Sequence, residues 1–348
     1  MTSVSSVSRL SILHVCCTDA FAGVERHIAA LAADQAARGH EVHVIGGHPE
    51  MITRHIGDRQ VAHQPARTIP QTFAAMRRVP RPSVINAHMT AAELAAVTSV
   101  RMRGVPVVST RHFAQPRGSR PLSRPVVRAA ARRIAAQIAV SQYVADHIDN
   151  PSTVIHSGVA TRTDGLPADS RQPVVLIAQR LEPEKATHVG IEAFATSGLA
   201  GVGWRLQIAG DGALRGSLEH LATALGVGGA VDFLGRREDV ESLMSTAAVL
   251  LAPRPDEGYG LTVLEAMAAG LPVVAAASGG HLETVGVVPD AALFQPNDSG
   301  DAGRLLARLA QDPAGRDTYG KSLQATQRTD FTVEAQSTAT EAVYRGEL

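Results

Sequence analysis

Residues 256–272 of this 348-residue chain read DEGYGLTVLEAMAAGLP. The stretch follows a predicted strand, Val249–Pro253, and its apolar part predicts a helix. Gly258 and Gly260 let backbone N–H groups approach a ligand closely, and a helix N-terminus presents unpaired donors and a positive dipole end to an anion. The stretch therefore predicts a phosphate-binding turn between a strand and a helix.

Two carboxylates lie in this stretch. Glu265 falls within the apolar helix, where a lone charge is costly unless it is paired or hydrogen-bonded. A ribose diol would satisfy it, and so would a buried ion pair with an arginine. Taken alone, Glu265 is better explained by such an ion pair, and Glu257 as a solvated loop residue. Together with the two glycines and the following Gly-Leu-Pro, the pair favours ligand binding.

Outside this stretch, short β-branched runs alternate with amphipathic helical segments, which is typical of parallel α/β sheets. A helix is predicted from about Val24 to Arg38, ending at Gly39. The polar stretch Thr161 to Gln172 has the composition of a linker. We therefore predict two Rossmann-like domains, 1–160 and 173–329, joined by a linker over 161–172. The other predicted strands are Leu10–Cys16, Glu41–Ile45, Ser83–His88, Pro106–Thr110, Gln137–Val140, Thr153–Ile155, Val174–Ala178, Arg205–Ala209, Val231–Leu234, Pro272–Ala276 and Ala291–Phe294.

Composition excludes some functional classes and favours one compartment. The chain has 33 Lys+Arg and 33 Asp+Glu, so it has no bulk attraction to nucleic acid, and no nucleic-acid partner is expected. Cys16 and Cys17 are adjacent in a predicted strand, where they point to opposite faces and cannot readily form a disulfide. No run approaches 18 apolar residues and no signal-peptide pattern is visible. A cytoplasmic location is expected.

Glu257 and Glu265, followed by Ala-Met-Ala-Ala-Gly-Leu-Pro-Val-Val, resemble the signature of retaining glycosyltransferases of family 4. The resemblance implies a GT-B fold, in which two Rossmann-like α/β domains face each other across a cleft. It implies a nucleotide diphosphate sugar as co-substrate with no further cofactor, and a hexose-type transfer to a sugar, lipid-linked or natural-product acceptor. Glu257 would contact the donor sugar and Glu265 the ribose, while Gly258, Tyr259, Gly260 and Leu261 would meet the diphosphate and sugar.

A second element, residues 179–185 with sequence QRLEPEK, follows the first strand of the second half. Loops at strand ends bind ligands in open α/β sheets. Arg180 and Lys185 can converge there on a diphosphate. The segment resembles the family's Gly-Arg-Leu…Glu-Lys-Gly, whose Arg and Lys stabilise the leaving group. Gln179 and Ala186 stand where the family often has glycine, so the family pattern does not predict the backbone conformation of this loop. A solvated basic loop is the alternative explanation of the segment.

Weaker matches to the family line the predicted donor pocket. Gly210, in Ala-Gly-Asp-Gly, and Arg236, in Phe-Leu-Gly-Arg, are candidate donor-binding residues, with a plain turn and a surface charge as the alternatives. Gly279 and Gly280 could relieve crowding near the sugar.

The first half supplies four more candidates by resemblance. Gly23 lies in a loop where the family commonly has two glycines near donor phosphate and acceptor. His88 ends a strand and matches the family histidine that reaches the donor sugar, although it is one of 14 histidines and a structural role is the alternative. Thr110 and His112 end the next strand and are candidates for the acceptor side.

The predicted mechanism needs no metal. No Asp-x-Asp occurs in the chain, and Arg180, Lys185 and a helix terminus would supply the charge that a metal supplies in other glycosyltransferases. Retention could proceed by double displacement through a carboxylate nucleophile, but no second carboxylate is an obvious one. Front-face transfer, with the departing phosphate deprotonating the acceptor, is therefore expected.

Three further expectations remain. Arginines over Arg117–Arg133 follow a helical i, i+4 spacing in part and could dock on anionic lipid, with a solvated helix face as the alternative. Residues 330–348 resemble the family's final helix, which returns to the first domain.

The rival functions are a sugar-nucleotide epimerase of related fold and a catalytically silent sugar-nucleotide-binding subunit. The silent subunit is disfavoured because the chain keeps the four charged residues of the family pattern, Arg180, Lys185, Glu257 and Glu265.

Overall fold

The computed structural model describes residues 8–118, 124–163 and 165–348, with the backbone alone for Arg124 and Val126. The chain forms two compact units. The first unit contains residues 8–158 together with Val333–Leu348, and the second contains Val159–Thr332. The chain therefore passes between the units twice, at 158–159 and at 332–333.

The first unit is built on a parallel sheet of seven strands within the described residues, in the order β3-β2-β1-β4-β5-β6-β7. Because β4 follows β3 in sequence but pairs with β1, the strand order reverses between β1 and β4. Its elements are β1 Ser11–Val15, α1 Gly23–Ala37, β2 Glu41–Ile45, α2 Pro49–Ile56, β3 Val61–Gln64, α3 Ile69–Met76, β4 Val84–His88, α4 Thr90–Thr98, β5 Val107–Arg111, α5 Arg124–Ala131, β6 Ala136–Ala139, α6 Gln142–His147, β7 Thr153–Val154 and, from the end of the chain, α14 Val333–Arg345.

The second unit repeats the architecture with six parallel strands among its described residues, in the order β10-β9-β8-β11-β12-β13. Here the order reverses between β8 and β11, which pair directly. Ligands of open α/β sheets bind at the carboxyl ends of strands beside such a reversal. Its elements are β8 Gln172–Ala178, α7 Thr187–Thr196, β9 Arg205–Ala209, α8 Arg215–Ala224, β10 Val231–Gly235, α9 Val240–Thr246, β11 Ala247–Ala252, α10 Leu261–Ala268, β12 Val273–Ala276, α11 Gly280–Thr284, β13 Ala292–Phe294, α12 Ser299–Gln311 and α13 Pro313–Asp330.

The predicted strands are confirmed to within two residues at each end, and α1 ends as predicted just before Gly39, which has φ +90°. The strand that the sequence did not predict is β3. Its four residues, Val61–Gln64, are mostly half-buried, because it lies at the edge of the sheet and carries little of the apolar pattern that marks central strands.

The final helix α14 is part of the core of the first unit. Val343 packs with Ile12 of β1 and Val108 of β5, and the Tyr344 hydroxyl accepts a hydrogen bond from Asn86 Nδ2 at 2.7 Å. The segment at the end of the chain therefore completes the unit in which the chain begins.

The stretch predicted as a linker, residues 161–172, belongs to the second unit. The Arg171 guanidinium is buried and donates to the carbonyls of Met244 and Ala247, each at 2.9 Å, and of Ala269 at 2.8 Å. The polar composition suggested a linker. In the structure, one of these polar residues, Arg171, instead donates to backbone carbonyls that are distant in sequence. Among the described residues, no helix is at once long and apolar enough to cross a membrane.

Candidate active site

The turn predicted to bind phosphate joins β11 to α10. Gly260 precedes α10 and has φ +93°, a conformation that favours glycine. The β12–α11 loop contacts this turn, because the Gly280 N–H donates to the Glu257 carbonyl at 2.8 Å. A Cβ on Gly280 would lie 2.4 Å from Tyr259 Cα, and one on Gly279 would lie 2.3 Å from the Glu257 carbonyl oxygen. These two glycines therefore allow close packing against the turn.

The Glu257 carboxylate is the centre of a charge cluster. Lys185 Nζ lies 3.0 Å from Glu257 Oε2, and Arg254 Nη1 lies 3.3 Å from the same oxygen. The Gly258 N–H donates to Oε1 at 3.1 Å. Burial disfavours the ionised carboxyl, but the two adjacent cations prevail and hold the pKa of Glu257 below its usual range. The cluster is thus an ionised carboxylate between two cations.

The topology explains why these residues meet. Lys185 lies in the loop after β8 and Glu257 in the loop after β11, and these strands are neighbours at the reversal of strand order. Arg254 is the member of the cluster that the sequence analysis missed. Its one sequence signal is a position two residues after β11, at the carboxyl end of a strand next to the reversal.

The loop that carries Lys185 keeps a glycine-like path without glycine. Ala186 has φ +49° and ψ +37°, in the left-handed region. Gln179 Nε2 donates to the Lys185 carbonyl at 2.9 Å and to the Thr187 hydroxyl at 3.0 Å, which fixes the loop. Arg180 does not join the cluster in this structure, because its side chain is 63% exposed and pairs with Glu184 at 3.0 Å.

The Ala-Gly-Asp-Gly turn after β9 supports this loop. A Cβ on Gly210 would lie 1.8 Å from the Gln179 carbonyl oxygen, and one on Gly212 would lie 2.5 Å from the Leu181 carbonyl oxygen. Both glycines therefore have a packing role in the fold. Arg236 is exposed after β10.

His281 lies in α11, next to Gly260 of the turn, and is 1% exposed. Its Nδ1–H donates to the Ala276 carbonyl at 3.1 Å. Burial lowers the pKa of His281, although the nearby Glu257 opposes this effect. A neutral ring with its proton on Nδ1 leaves Nε2 as an acceptor, and Nε2 lies 3.5 Å from where a Cβ on Gly260 would sit.

The remaining residues of the turn differ in burial. Tyr259 is 4% exposed, and burial raises the pKa of its hydroxyl. Leu261 begins α10. Glu265 is half-buried, whereas Val263, Leu264 and Ala266 on the same helix are buried. The cost of burying a charge is therefore a weaker argument for a ligand at Glu265 than the sequence indicated.

The first unit brings His88 and His112 together with two further histidines. His88 Nδ1 lies 3.0 Å from His112 Nε2, and His88 Nε2 lies 3.2 Å from His14 Nδ1. His14 Nε2 in turn lies 2.8 Å from Gln35 Oε1, and the His27 ring stands edge-on to His112 at 4.7 Å between centroids. Because His14 and His88 each bond through both nitrogens, each ring donates with one and accepts with the other.

Burial is the main cause of the low pKa values in this histidine cluster. It lowers the pKa of His14 to about 4 and that of His112 to about 3, and it lowers the pKa of His27 and His88 well below the usual value. All four rings are therefore neutral at pH 7. His88 has no exposed surface, so any ligand would reach it only after neighbouring side chains move.

Two other first-unit candidates have structural partners. The Thr110 hydroxyl is buried and donates to Asn86 Oδ1 at 2.8 Å, so it is engaged within the sheet. Gly23 is the first residue of α1, where the Ala22 N–H donates to Glu25 Oε2 at 2.7 Å. Thr110 is therefore not available to an acceptor in this structure, while Gly23 lies at a helix N-terminus as the predicted loop requires.

The expectation of a basic surface over Arg117–Arg133 is wrong for Arg117. Its side chain is 1% exposed, with Nε 2.6 Å from Glu93 Oε2 and Nη1 2.9 Å from Asp149 Oδ2. The partners are distant in sequence, so the arginine spacing gave no sign of them. Arg128 and Arg132 are exposed, but α5 ends at Ala131, and Arg120 and the Arg124 side chain lie outside the described residues.

Known families match both halves of the chain. Residues 21–163 match the family described as "Glycosyltransferase Family 4" and residues 161–326 the family described as "Glycosyl transferases group 1". The chain is 34% identical over 149 residues to an exopolysaccharide phosphotransferase of Streptomyces coelicolor, and 34% identical over 219 residues to a D-inositol 3-phosphate glycosyltransferase of Mycolicibacterium vanbaalenii. These matches cover 42% and 56% of this chain but only 16% and 49% of the relatives.

A solved structure resembles nearly the whole chain. HepE of Anabaena, in complex with UDP and glucose, superposes with a TM-score of 0.80 at 21% identity. The match covers 97% of this chain and 100% of HepE. The likeness in fold therefore extends over both units.

Proposed function

We propose that this chain, which belongs to glycosyltransferase family 4 and has the GT-B fold, transfers a hexose-type sugar from a nucleoside diphosphate sugar to an acceptor hydroxyl. The observation that carries the proposal is the cluster of Lys185, Glu257 and Arg254 at two adjacent strand ends. Glycosyl transfer from such a donor needs cations for the departing diphosphate and an acceptor group for sugar hydroxyls. The cluster offers both.

The Glu257 carboxylate occupies the position beside Lys185 and Arg254 that the proposal gives to the diphosphate. It neutralises Lys185 at 3.0 Å, and both side chains are less than one-fifth exposed. In the proposed complex the diphosphate takes over Lys185 and Arg254, and Glu257 accepts hydrogen bonds from the sugar. Charge-assisted bonds of this kind are about twice as strong as neutral ones. Arg180 is already exposed and would turn from Glu184 toward the diphosphate.

The donor side is completed by backbone and helix. The turn from Gly258 to Leu261 lies at the N-terminus of α10, where the positive end of the helix dipole favours an anion. Glu265, one turn further along α10, would accept hydrogen bonds from the ribose hydroxyls. UDP-hexoses are the first donors to test, because HepE was crystallised with UDP and glucose.

The proposed transfer retains the anomeric configuration without a metal. The bond from C1 to the diphosphate oxygen breaks, the acceptor oxygen bonds C1 from the same face, and the acceptor proton passes to the departing diphosphate. Lys185 and Arg254 stabilise the charge that develops on that diphosphate. In this transfer Glu257 accepts hydrogen bonds from the sugar hydroxyls, and no glycosyl-enzyme forms.

The first experiment measures binding and turnover of UDP-hexoses in EDTA, with proton NMR of the product for anomeric configuration. Losing one charge-assisted hydrogen bond costs about 1.5–3 kcal/mol, which corresponds to about 10- to 150-fold. We expect Lys185→Met to weaken UDP binding and Glu257→Gln to lower kcat/KM by this range. Lys321→Met is the matched control, because Lys321 is 74% exposed on α13.

Each failure has a distinct meaning. Release of an altered sugar nucleotide without a glycoside would identify an epimerase, and donor binding without turnover would identify a binding subunit. Full activity of Glu257→Gln, or a product with inverted configuration, would overturn the assignment of the site.

A further inference from the structure

Three histidines from separate elements converge in the first unit. His27 comes from the second turn of α1, His88 from the end of β4, and His112 from the residue after β5. One ring nitrogen of each lies within 4.8 Å of those of the other two. We propose that His27, His88 and His112 form a binding site for a borderline divalent transition metal ion, with Zn²⁺ as the reference ion.

The ligand set selects the class of ion. Three imidazoles suit Zn²⁺, Co²⁺ or Ni²⁺, whereas Mg²⁺ and Ca²⁺ prefer oxygen ligands. Tetrahedral Zn²⁺ with Zn–N bonds near 2.0–2.1 Å places its nitrogen ligands about 3.3 Å apart. His88 Nδ1 and His112 Nε2 are already 3.0 Å apart. A shift of up to about 1.5 Å in the His27 ring would close the site, and a water would take the fourth position.

The groups behind the triad are of the kind that orient metal-bound histidines. A ligating histidine usually hydrogen-bonds through its other ring nitrogen to a fixed partner. His88 does so through Nε2, 3.2 Å from His14 Nδ1, and His14 is held in turn by Gln35 at 2.8 Å. His27 does so through Nδ1, 2.9 Å from the Ser157 hydroxyl.

Two local contacts would change on binding. The hydrogen bond between His88 and His112 would be replaced by two metal–nitrogen bonds, with the proton of that bond moving to the other nitrogen of its ring. His27 Nε2 would leave the Gln336 amide, which lies 3.3 Å away and whose oxygen stays bonded to the Gly158 N–H. The neighbouring Arg111 cation disfavours positive charge at His112, and its ion pair with Asp149 at 3.2 Å reduces this repulsion.

The test is direct metal binding by the untagged full chain after removal of metal with EDTA. Titration with Co²⁺ should produce the intense visible absorption of a tetrahedral site at one equivalent, and Zn²⁺ should abolish it by competition. His112→Asn, at the half-buried ligand, should weaken binding by at least about 100-fold, since even loss of an outer partner costs about 10- to 100-fold. The exposed His220→Asn is the control and should bind as the wild type does.

Absorption of octahedral Co²⁺, or wild-type affinity in His112→Asn, would overturn the proposal. If His112→Asn fails to fold, X-ray absorption of the Zn²⁺-loaded wild type decides, because the site requires three imidazole nitrogens at about 2.0 Å. Neither readout uses glycosyl transfer, so the outcome is separate from that of the proposed function.

Discussion

Replacing Asp149 by asparagine tests whether Arg117 is a buried structural residue or a surface residue. Asp149 accepts the Arg117 backbone N–H at 3.0 Å and its guanidinium at 2.9 Å, and it also accepts Arg111 Nη1 at 3.2 Å. Partial burial opposes ionisation, but these donors prevail and lower the pKa of Asp149 from the ordinary 3.8 to about 2. The asparagine side chain would keep the shape and lose the charge.

The size of the effect follows from that pKa. A fall from 3.8 to about 2 corresponds to at most about 2.4 kcal/mol of stability at pH 7, and solvent screening of the partly exposed side chain lowers this value. Because the folded pKa is depressed, this contribution is complete above about pH 4 and is lost as the pH falls through about 2. Asp149→Asn should therefore lower the free energy of unfolding by about 2 kcal/mol at pH 7 and by about half as much at pH 3.

Urea unfolding at pH 7, 4 and 3 measures this difference. Far-UV circular dichroism reports both units, whereas fluorescence of Trp204, the single tryptophan, reports the second unit. The effect should appear in the transition that the fluorescence does not follow. Asp146→Asn is the control: Asp146 is exposed on α6 with Gln142 as its partner at 2.7 Å, and a change within about 0.5 kcal/mol is expected.

Two results would refute the reasoning. A loss below about 0.5 kcal/mol at pH 7 would be typical of a surface ion pair. Arg117 would then be a surface residue, as the sequence predicted. A loss that is the same at pH 7 and pH 3 would mean that the carboxylate charge is not its cause.

Ala186→Gly should remove most of the roughly 1–2 kcal/mol cost of the left-handed conformation, and the greater flexibility of glycine in the unfolded chain should offset part of this gain. The midpoint of thermal unfolding, followed by tryptophan fluorescence, should rise by about 2–4 °C. A lower midpoint would contradict this prediction. Gly280→Ala should lower the free energy of unfolding of the second unit by about 1–3 kcal/mol and reduce turnover. Gly216→Ala is the control, because a Cβ added at Gly216 meets no atom within 4 Å. Equilibrium unfolding should show that this control is neutral or stabilising. Tyr344→Phe should cost about 1–3 kcal/mol in the first unit because it leaves Asn86 Nδ2 without its acceptor; hydrogen exchange of β4 amides would detect this, and unchanged exchange would exclude it.

The sequence predicted the second-unit site well because its signals are local. Glu257 and Lys185 each follow a strand in a recognisable motif, and parallel strands carry both to one edge of the sheet. Their contact still depends on β8 and β11 being neighbours, which no local pattern states. Arg254 was missed because its importance comes only from its distance to Glu257.

Where the sequence analysis failed, the decisive partners are distant along the chain. Arg117 resembled a member of a surface series, but Glu93 is 24 residues away and Asp149 is 32 residues away. Thr110 ends a strand as a site residue would, yet its hydroxyl is engaged by Asn86 of the neighbouring strand. Gly280 was linked to the sugar, whereas the structure shows it packed against Tyr259. Spacing in sequence does not encode such pairings.

The double passage between the units sets the order in which they can fold on the ribosome. The first unit needs α14, whose Tyr344 and Val343 contact β4 and β1. The second unit, Val159–Thr332, is contiguous and is fully synthesised before α14 emerges. The usual order, in which the N-terminal domain folds first, is therefore reversed for the last step of this chain. A nascent chain stalled before Val333 would carry a complete second unit beside a first unit still awaiting its final helix.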